Sequence, residues 1–342
     1  KMCTVSNTTN RRSNTTNRSE RALGAGIFAF ARKVLQIREA VLFFIILILS
    51  IGMSFASPYF LTFGNMRAVV MSFSTEGIVV VGMTVLIIVG GIDLSVGATM
   101  AFAMVVAGKL FLLGMNPWLA SLLGIGATGI TGMAMGFFVT RVGLNFFITS
   151  LAFFGIVRGF SFIVTEGTPL SLYSLPPEFK FIGQGDIYGI PVAILIFLVV
   201  AIVGDILLRN AAVFRKVIYV GSNKKAAAYA GINVRKVTFW TAVLSSMLAG
   251  LAGIMFMARL GVATPTFGLG SELNIIAAAV IGGASLTGGK GSILGAILGI
   301  ALLSLVTSSM ILLNISIFWQ ETIRGLILLA AVSIDHIANK HR

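Results

Sequence analysis

Two carboxylates stand out in a chain that has only 11 Asp and Glu among 342 residues. Asp93 lies in GGIDLSVG (90–97), between two long apolar runs, and Glu76 lies in TEGIVVVGM (75–83), well inside one. An acid at the centre of a bilayer costs on the order of 3 kcal/mol, so each needs a structural or a chemical reason. Asp93, with Ser95 beside it, can cap the following helix by accepting its first N–H groups, or it can line and gate a polar path. Glu76 can pair with a cation such as Arg67 or Arg158, or it can belong to the path. Asn145, Phe146 and Thr149, with Phe153 one turn on, combine amide, hydroxyl and aromatic groups. Such groups can line a path for a polar solute, and they equally suit packing between helices.

Other chemistry is excluded by residue type. Cys3 is the only cysteine and the two histidines are His336 and His341, so no internal disulfide or His/Cys metal site is expected. ASLTGGKGS (284–292) resembles a phosphate loop but has Ala284 and Gly291 where that pattern needs glycine and a hydroxyl residue. There is no nucleophile–base set and no dinucleotide fingerprint. The expectation is a protein without a cofactor and without catalysis of its own.

The elements that position these groups follow from composition. The chain is 57% hydrophobic and 11% charged, against about 45–50% and about 25% in soluble domains. It reads as an all-α polytopic membrane protein. Ten apolar runs near 40–61, 67–90, 94–113, 117–140, 144–165, 190–208, 237–259, 272–287, 291–313 and 317–335 are long enough to suggest spanning helices. GGIDLSVG (90–97) and GGASLTGG (282–289) each put a glycine pair next to small polar residues between two runs. Broken or re-entrant segments are expected there, in the manner of a weak two-half repeat. Gly124, Thr128, Gly132 and Gly136 form one small-residue stripe and Gly291, Gly295 and Gly299 another, as close helix packing requires.

Net charge is +14. No basic surface with groove-reading elements appears, so nucleic acid is not an expected partner; the charge instead reports topology. With both termini in the cytoplasm, nineteen of the 25 Lys and Arg fall inside, as the positive-inside rule asks. Residues 1–38, with SNTTNR repeated, form a basic tail expected to be disordered and cytoplasmic, with an interfacial helix at 24–38. The membrane domain is expected over 39–336, with an external loop at 165–190 and a basic cytoplasmic loop at 209–236, before a tail at 337–342.

GGIDLSVG, GSNKKAAAYAGINVRKV (221–237) and the long block LAGLAGIMFMARLGVATPTFGLGSELNIIAAAVIGGASLTGGKGSILGAILG (248–299) resemble the ribose/xylose/galactose-type permease subunits of bacterial ABC importers, a family that includes autoinducer-2 permeases. The resemblance covers about residues 40–335. It implies a subunit of the bacterial cytoplasmic membrane that works with a cytoplasmic ABC ATPase, a second permease subunit and an extracytoplasmic sugar-binding protein. It further implies that Gly221, Asn223, Ala226, Ala227, Gly231 and Ile232 couple the permease to the ATPase. A proton- or ion-coupled secondary transporter using Glu76 or Asp93 is the alternative.

Overall fold

The computed structural model describes residues 38–340. The expected tail at 1–37 and its interfacial helix lie outside the described residues, as do the last two residues. Ten helices correspond to the ten runs: α1 (Arg38–Ala56), α2 (Phe63–Ile88), α3 (Val96–Leu112), α4 (Pro117–Phe137, continued by a π turn over Phe138–Val142), α5 (Phe146–Thr165), α7 (Val192–Asn210), α10 (Val234–Leu260), α11 (Ser271–Ile281), α12 (Ile293–Leu312) and α13 (Ile317–Lys340). Three shorter helices lie between them: α6 (Pro177–Gln184), α8 (Ala212–Ser222) and α9 (Lys224–Tyr229). The only strands among the described residues are two antiparallel two-residue pairs, Leu170–Ser171 with Val262–Ala263, and Asp186–Ile187 with Ile190–Pro191.

Among the described residues, seven helices are long and apolar enough to cross a membrane: α1, α2, α4, α5, α7, α10 and α12. Of the ten helices α11 is the shortest. Its 11 residues make about 16 Å, half the hydrocarbon thickness. The apolar run continues through Gly282 and Gly283, which is why the sequence looked long enough. Helix α3, with 17 residues, is also short. Both short helices adjoin the glycine pairs, as expected of broken segments. The last helix runs on to Lys340, beyond the expected start of a C-terminal tail.

Helices α2, α3 and α10 form the centre, sheathed by α1, α4, α5 and α7. Most of α2 and α10 is buried within the protein, whereas α1 and α7 are mostly exposed. The small-residue stripes bring the backbones together. A methyl at Gly124 would meet the Ala103 carbonyl at 2.6 Å, and Gly132 and Gly136 lie against Val243 and Phe239 of α10. On α12, Gly295 and Gly299 press on the carbonyls of Gly282 and Ala278.

The segment 264–270 turns inward instead of bridging α10 and α11 over the surface. Ala263 sits beside Gly108, near the C-terminal end of α3, while Gly268 sits beside Gly97, about three helical turns back along α3. Helix α11 therefore starts within the membrane. One end of the bundle is capped by residues 166–190, where Leu172, Leu175 and Phe179 are buried and Phe179 meets Trp118 edge-on at 5.4 Å.

Close packing by α4 gives a direct test. Gly124→Ala should destabilise the protein by about 1–3 kcal/mol, since backbone must move. Gly126→Ala, facing open space on the same helix, should leave stability unchanged or slightly higher. Thermal unfolding in detergent distinguishes them, and equal effects would contradict the packing.

Candidate functional site

Polar faces of three helices converge on one cavity of about 350 Å³. From α2 come Asn65, Ser72 and Glu76, at intervals of seven and four residues and therefore on one face. From α12 come Ser304, Thr307 and Ser308, on one face at i, i+3, i+4. The inward start of α11 supplies Gly270, Ser271 and Asn274, and α13 supplies Arg324. Asn65 joins two walls: its Oδ1 accepts from the Ser308 hydroxyl at 3.0 Å and its Nδ2 donates to the Phe60 carbonyl at 2.8 Å. Arg324 is held by Glu321 at 2.8 Å, one turn back on the same helix. A cavity lined by hydroxyls and amides offers donors and acceptors to a polar, uncharged molecule and no strong nucleophile.

Glu76 is the one expected path residue that lines this cavity. The pairings suggested for it do not form. Arg67 binds Asp186 at 2.7 Å, and Arg158 turns to backbone, donating through one terminal nitrogen to the carbonyls of Pro265 and of Phe267, the latter at 2.7 Å. The cation that shares the cavity with Glu76 is Arg324.

The other expected path residues lie elsewhere. Asp93 is fully buried, and its Oδ1 accepts from the Ser95 amide at 2.7 Å and the Ser95 hydroxyl at 2.6 Å. Asp93 thus holds the turn that precedes α3 and does not take the first-turn amides of that helix, so the expected cap does not form. Asn145 caps α5, accepting from the Phe147 amide at 2.9 Å, and Thr149 donates back to the Asn145 carbonyl. Phe146 rests on Gly91, and Phe153 is in the main apolar core. None of these six, Ser95 included, lines the cavity. Asn65, Ser72, Asn274 and the α12 hydroxyls were missed. Their signal was polar residues recurring at helical spacing in otherwise apolar runs.

The two glycine-pair breaks meet. Gly90 and Gly283 both have positive φ (89° and 101°), and the Gly289 amide donates to the Ile88 carbonyl at 2.8 Å. Ser150 of α5 ties down the first break, accepting from the Leu94 amide and donating to the Ile92 carbonyl. Gly221, at the end of α8, packs on the same junction: a methyl there would collide with the Ile88 carbonyl and the Gly289 amide. Asn223 then caps α9, accepting from the Ala226 amide at 3.0 Å. Gly231 closes that helix at φ 80°, with the Ile232 amide donating to the Ala227 carbonyl. Ala227 is buried, and Ile232 packs against the main core, so with Gly221 they face the protein. Ala226 and Gly231 are exposed, and Tyr229 is 92% exposed.

Residues 65–332 match the family described as branched-chain amino acid transport system, permease component. The chain belongs to this permease family. Among its relatives is the ribose import permease protein of Bacillus subtilis, 34% identical over 288 residues that cover 84% of this chain and 89% of that one. The D-allose transport system permease protein of Escherichia coli K12 is 33% identical, with 87% and 91% covered. The L-arabinose ABC transporter permease protein of Azospirillum brasilense is 34% identical, with 87% of each chain covered. No solved structure matches the chain.

In this permease the inward segment 264–270 depends on Arg158. The guanidinium donates to the carbonyls of Pro265 and Phe267, and it attracts Glu272, whose Oε1 accepts from the Gly270 amide at 3.2 Å. Arg158→Met should cost about 3 kcal/mol, the scale of losing hydrogen bonds to a charged donor. Denaturation in detergent measures it, and an unchanged stability would contradict the clamp.

Proposed function

We propose that this chain is the membrane-embedded permease of an ATP-driven importer, moving a neutral sugar or sugar-like molecule into the cytoplasm. The observation that carries the substrate class is the cavity between α2, α11, α12 and α13, where hydroxyl and amide groups outnumber charges. The names of the ribose, allose and arabinose relatives agree with it. A zwitterionic amino acid, named in the family description, would need a paired cation and anion free to receive it, and Arg324 is already engaged by Glu321.

Helices α8 and α9 are the coupling element in this reading. Lys224, Lys225, Ala226 and Tyr229 are exposed and available to a separate cytoplasmic ATPase. Gly221, eight residues before Tyr229, touches the junction of both breaks. From that junction α11 leads to Ser271 and Asn274, and α12 leads to Ser304 and Thr307. A push on α9 therefore has a short rigid route to two walls of the cavity. Complete switching between two states takes about 5.5 kcal/mol of differential binding, a magnitude within reach of nucleotide-driven closure in a partner. A second permease subunit completes the path, and an extracytoplasmic binding protein meets the 166–190 cap through Tyr173 and Tyr188, which are 81% and 102% exposed.

The sidedness rests on charge. The helix ends bearing Arg141, Arg209, the α8–α9 segment and Lys290 group at one end of the bundle, and the cap with Arg67, Lys180 and Arg259 at the other. The more basic end is assigned to the cytoplasm.

Proteoliposomes test the reading. With the ATPase and binding protein present, sugar uptake should require ATP on the cytoplasmic side. Tyr229→Ala should weaken ATPase retention by about tenfold or more, as for an exposed aromatic anchor, without altering thermal stability. Uptake by the chain alone under a proton gradient, abolished by Glu76→Gln, would replace this function with proton-coupled transport.

A further inference from the structure

Next to the coupling segment, α2, α8 and α10 enclose a groove of about 330 Å³. Its walls are apolar, with Val85, Val217, Val237 and Leu244, and Trp240 stands 61% exposed at its side. Two cations, Lys216 and Lys236, lie on its rim. A second cavity of about 680 Å³ shares Asn233 and Lys236 with the groove and adds Arg141 and Arg235. Among the described residues, no acidic side chain lines either space. An apolar slot thus leads into a patch of unopposed positive charge.

The level of this site in the membrane narrows its occupant. Helix α10 begins at Val234, and Trp240 is six residues further in, about 9 Å. With α10 read as a spanning helix that enters the bilayer near its first turn, this puts Trp240 close to the boundary between headgroups and acyl chains, where tryptophan is enriched. A water-soluble partner docking on α9 would not climb that far along a spanning helix, whereas a lipid already occupies that level. Basic pockets between helices on the cytoplasmic side suit anionic headgroups.

We propose that this groove is a binding site for one anionic phospholipid. An acyl chain fills the slot beside Trp240, and Lys216 and Lys236 hold the phosphate, with Arg141 and Arg235 extending the positive field. The bound lipid bridges α8 and α10 and so braces the helix that carries Gly221. The site itself does not depend on which solute the permease carries; its placement at the cytoplasmic face rests on the orientation proposed above.

Trp240 can report on its own groove, because the chain has three tryptophans and Trp118→Phe with Trp319→Phe leaves it alone. The full chain is placed in phosphatidylcholine bilayers containing either phosphatidylglycerol or phosphatidylcholine with brominated acyl chains, which quench tryptophan on contact. The expected preference for phosphatidylglycerol is about fivefold, the size of one lysine's attraction for an anionic surface. Lys216→Gln with Lys236→Gln should bring the ratio to about one, since the retained arginines alone lack the rim contacts. Lys224→Gln with Lys225→Gln, which removes equal charge from the exposed α9, should leave it unchanged. Equal quenching by both lipids would overturn the proposal, and so would the same loss from both lysine pairs. Absence of quenching by either lipid would mean that the groove is closed to the bilayer and would also overturn it.

Discussion

Within hydrocarbon a peptide group must find its hydrogen-bond partner inside the protein. This fold breaks its helices at three places: 89–95, 264–270 and 282–292. Each break leaves amides and carbonyls that regular helices would have satisfied. The solutions are specific. The first and third breaks join through the Gly289 amide and the Ile88 carbonyl, Ser150 serves both sides of the first, and Arg158 serves the second. The close approach that permits the junction needs glycine at 221, 288 and 289, where backbone occupies the space of a side chain.

Function follows from where the breaks lead. Half-helix α11 connects the junction at one end to the polar cavity at the other. Because it begins within the membrane, Ser271 and Asn274 sit among the spans, where they meet polar faces of α2 and α12. An unbroken helix there would have carried those groups to the end of the bundle. The irregular backbone therefore has two consequences from one cause: it builds a polar wall at depth, and it connects that wall to the segment beside α8.

Much of this architecture was legible in the sequence. The ten helices follow from apolar composition, and the glycine pairs marked two breaks because glycine weakens a helix and admits positive φ. Asp93 was visible as a lone acid, but its bonds to Ser95, within the turn before α3, were not. The length of α11 was not legible, because its apolar run continues through Gly282 and Gly283 without a charge. The inward turn of GVATPTFGLG (261–270) was not legible either, since its Thr, Pro and Gly content matches an ordinary surface loop. Glu76 was visible as a lone acid. Its companions Asn65, Ser72, Ser304 and Thr307 were obscured because single hydroxyls and amides in spans usually bond their own backbone, as Ser309 does with the Leu305 carbonyl. Only the three-dimensional meeting of three faces separates the two cases. Asn145 and Thr149 show the reverse: polar groups at the start of a span that serve local helix geometry.

The central claim is that the solute passes between α2, α11 and α12, and not along α5. Cysteine accessibility reads it most directly, in a background where Cys3, the only native cysteine, is replaced by serine. Single cysteines at Ser72, Asn274 and Ser304 should react with a hydrophilic, membrane-impermeant thiol reagent and be protected by transported sugar, while one at Thr149 should stay unreactive. Reaction and sugar protection at Thr149, with Ser72, Asn274 and Ser304 inert, would contradict the account.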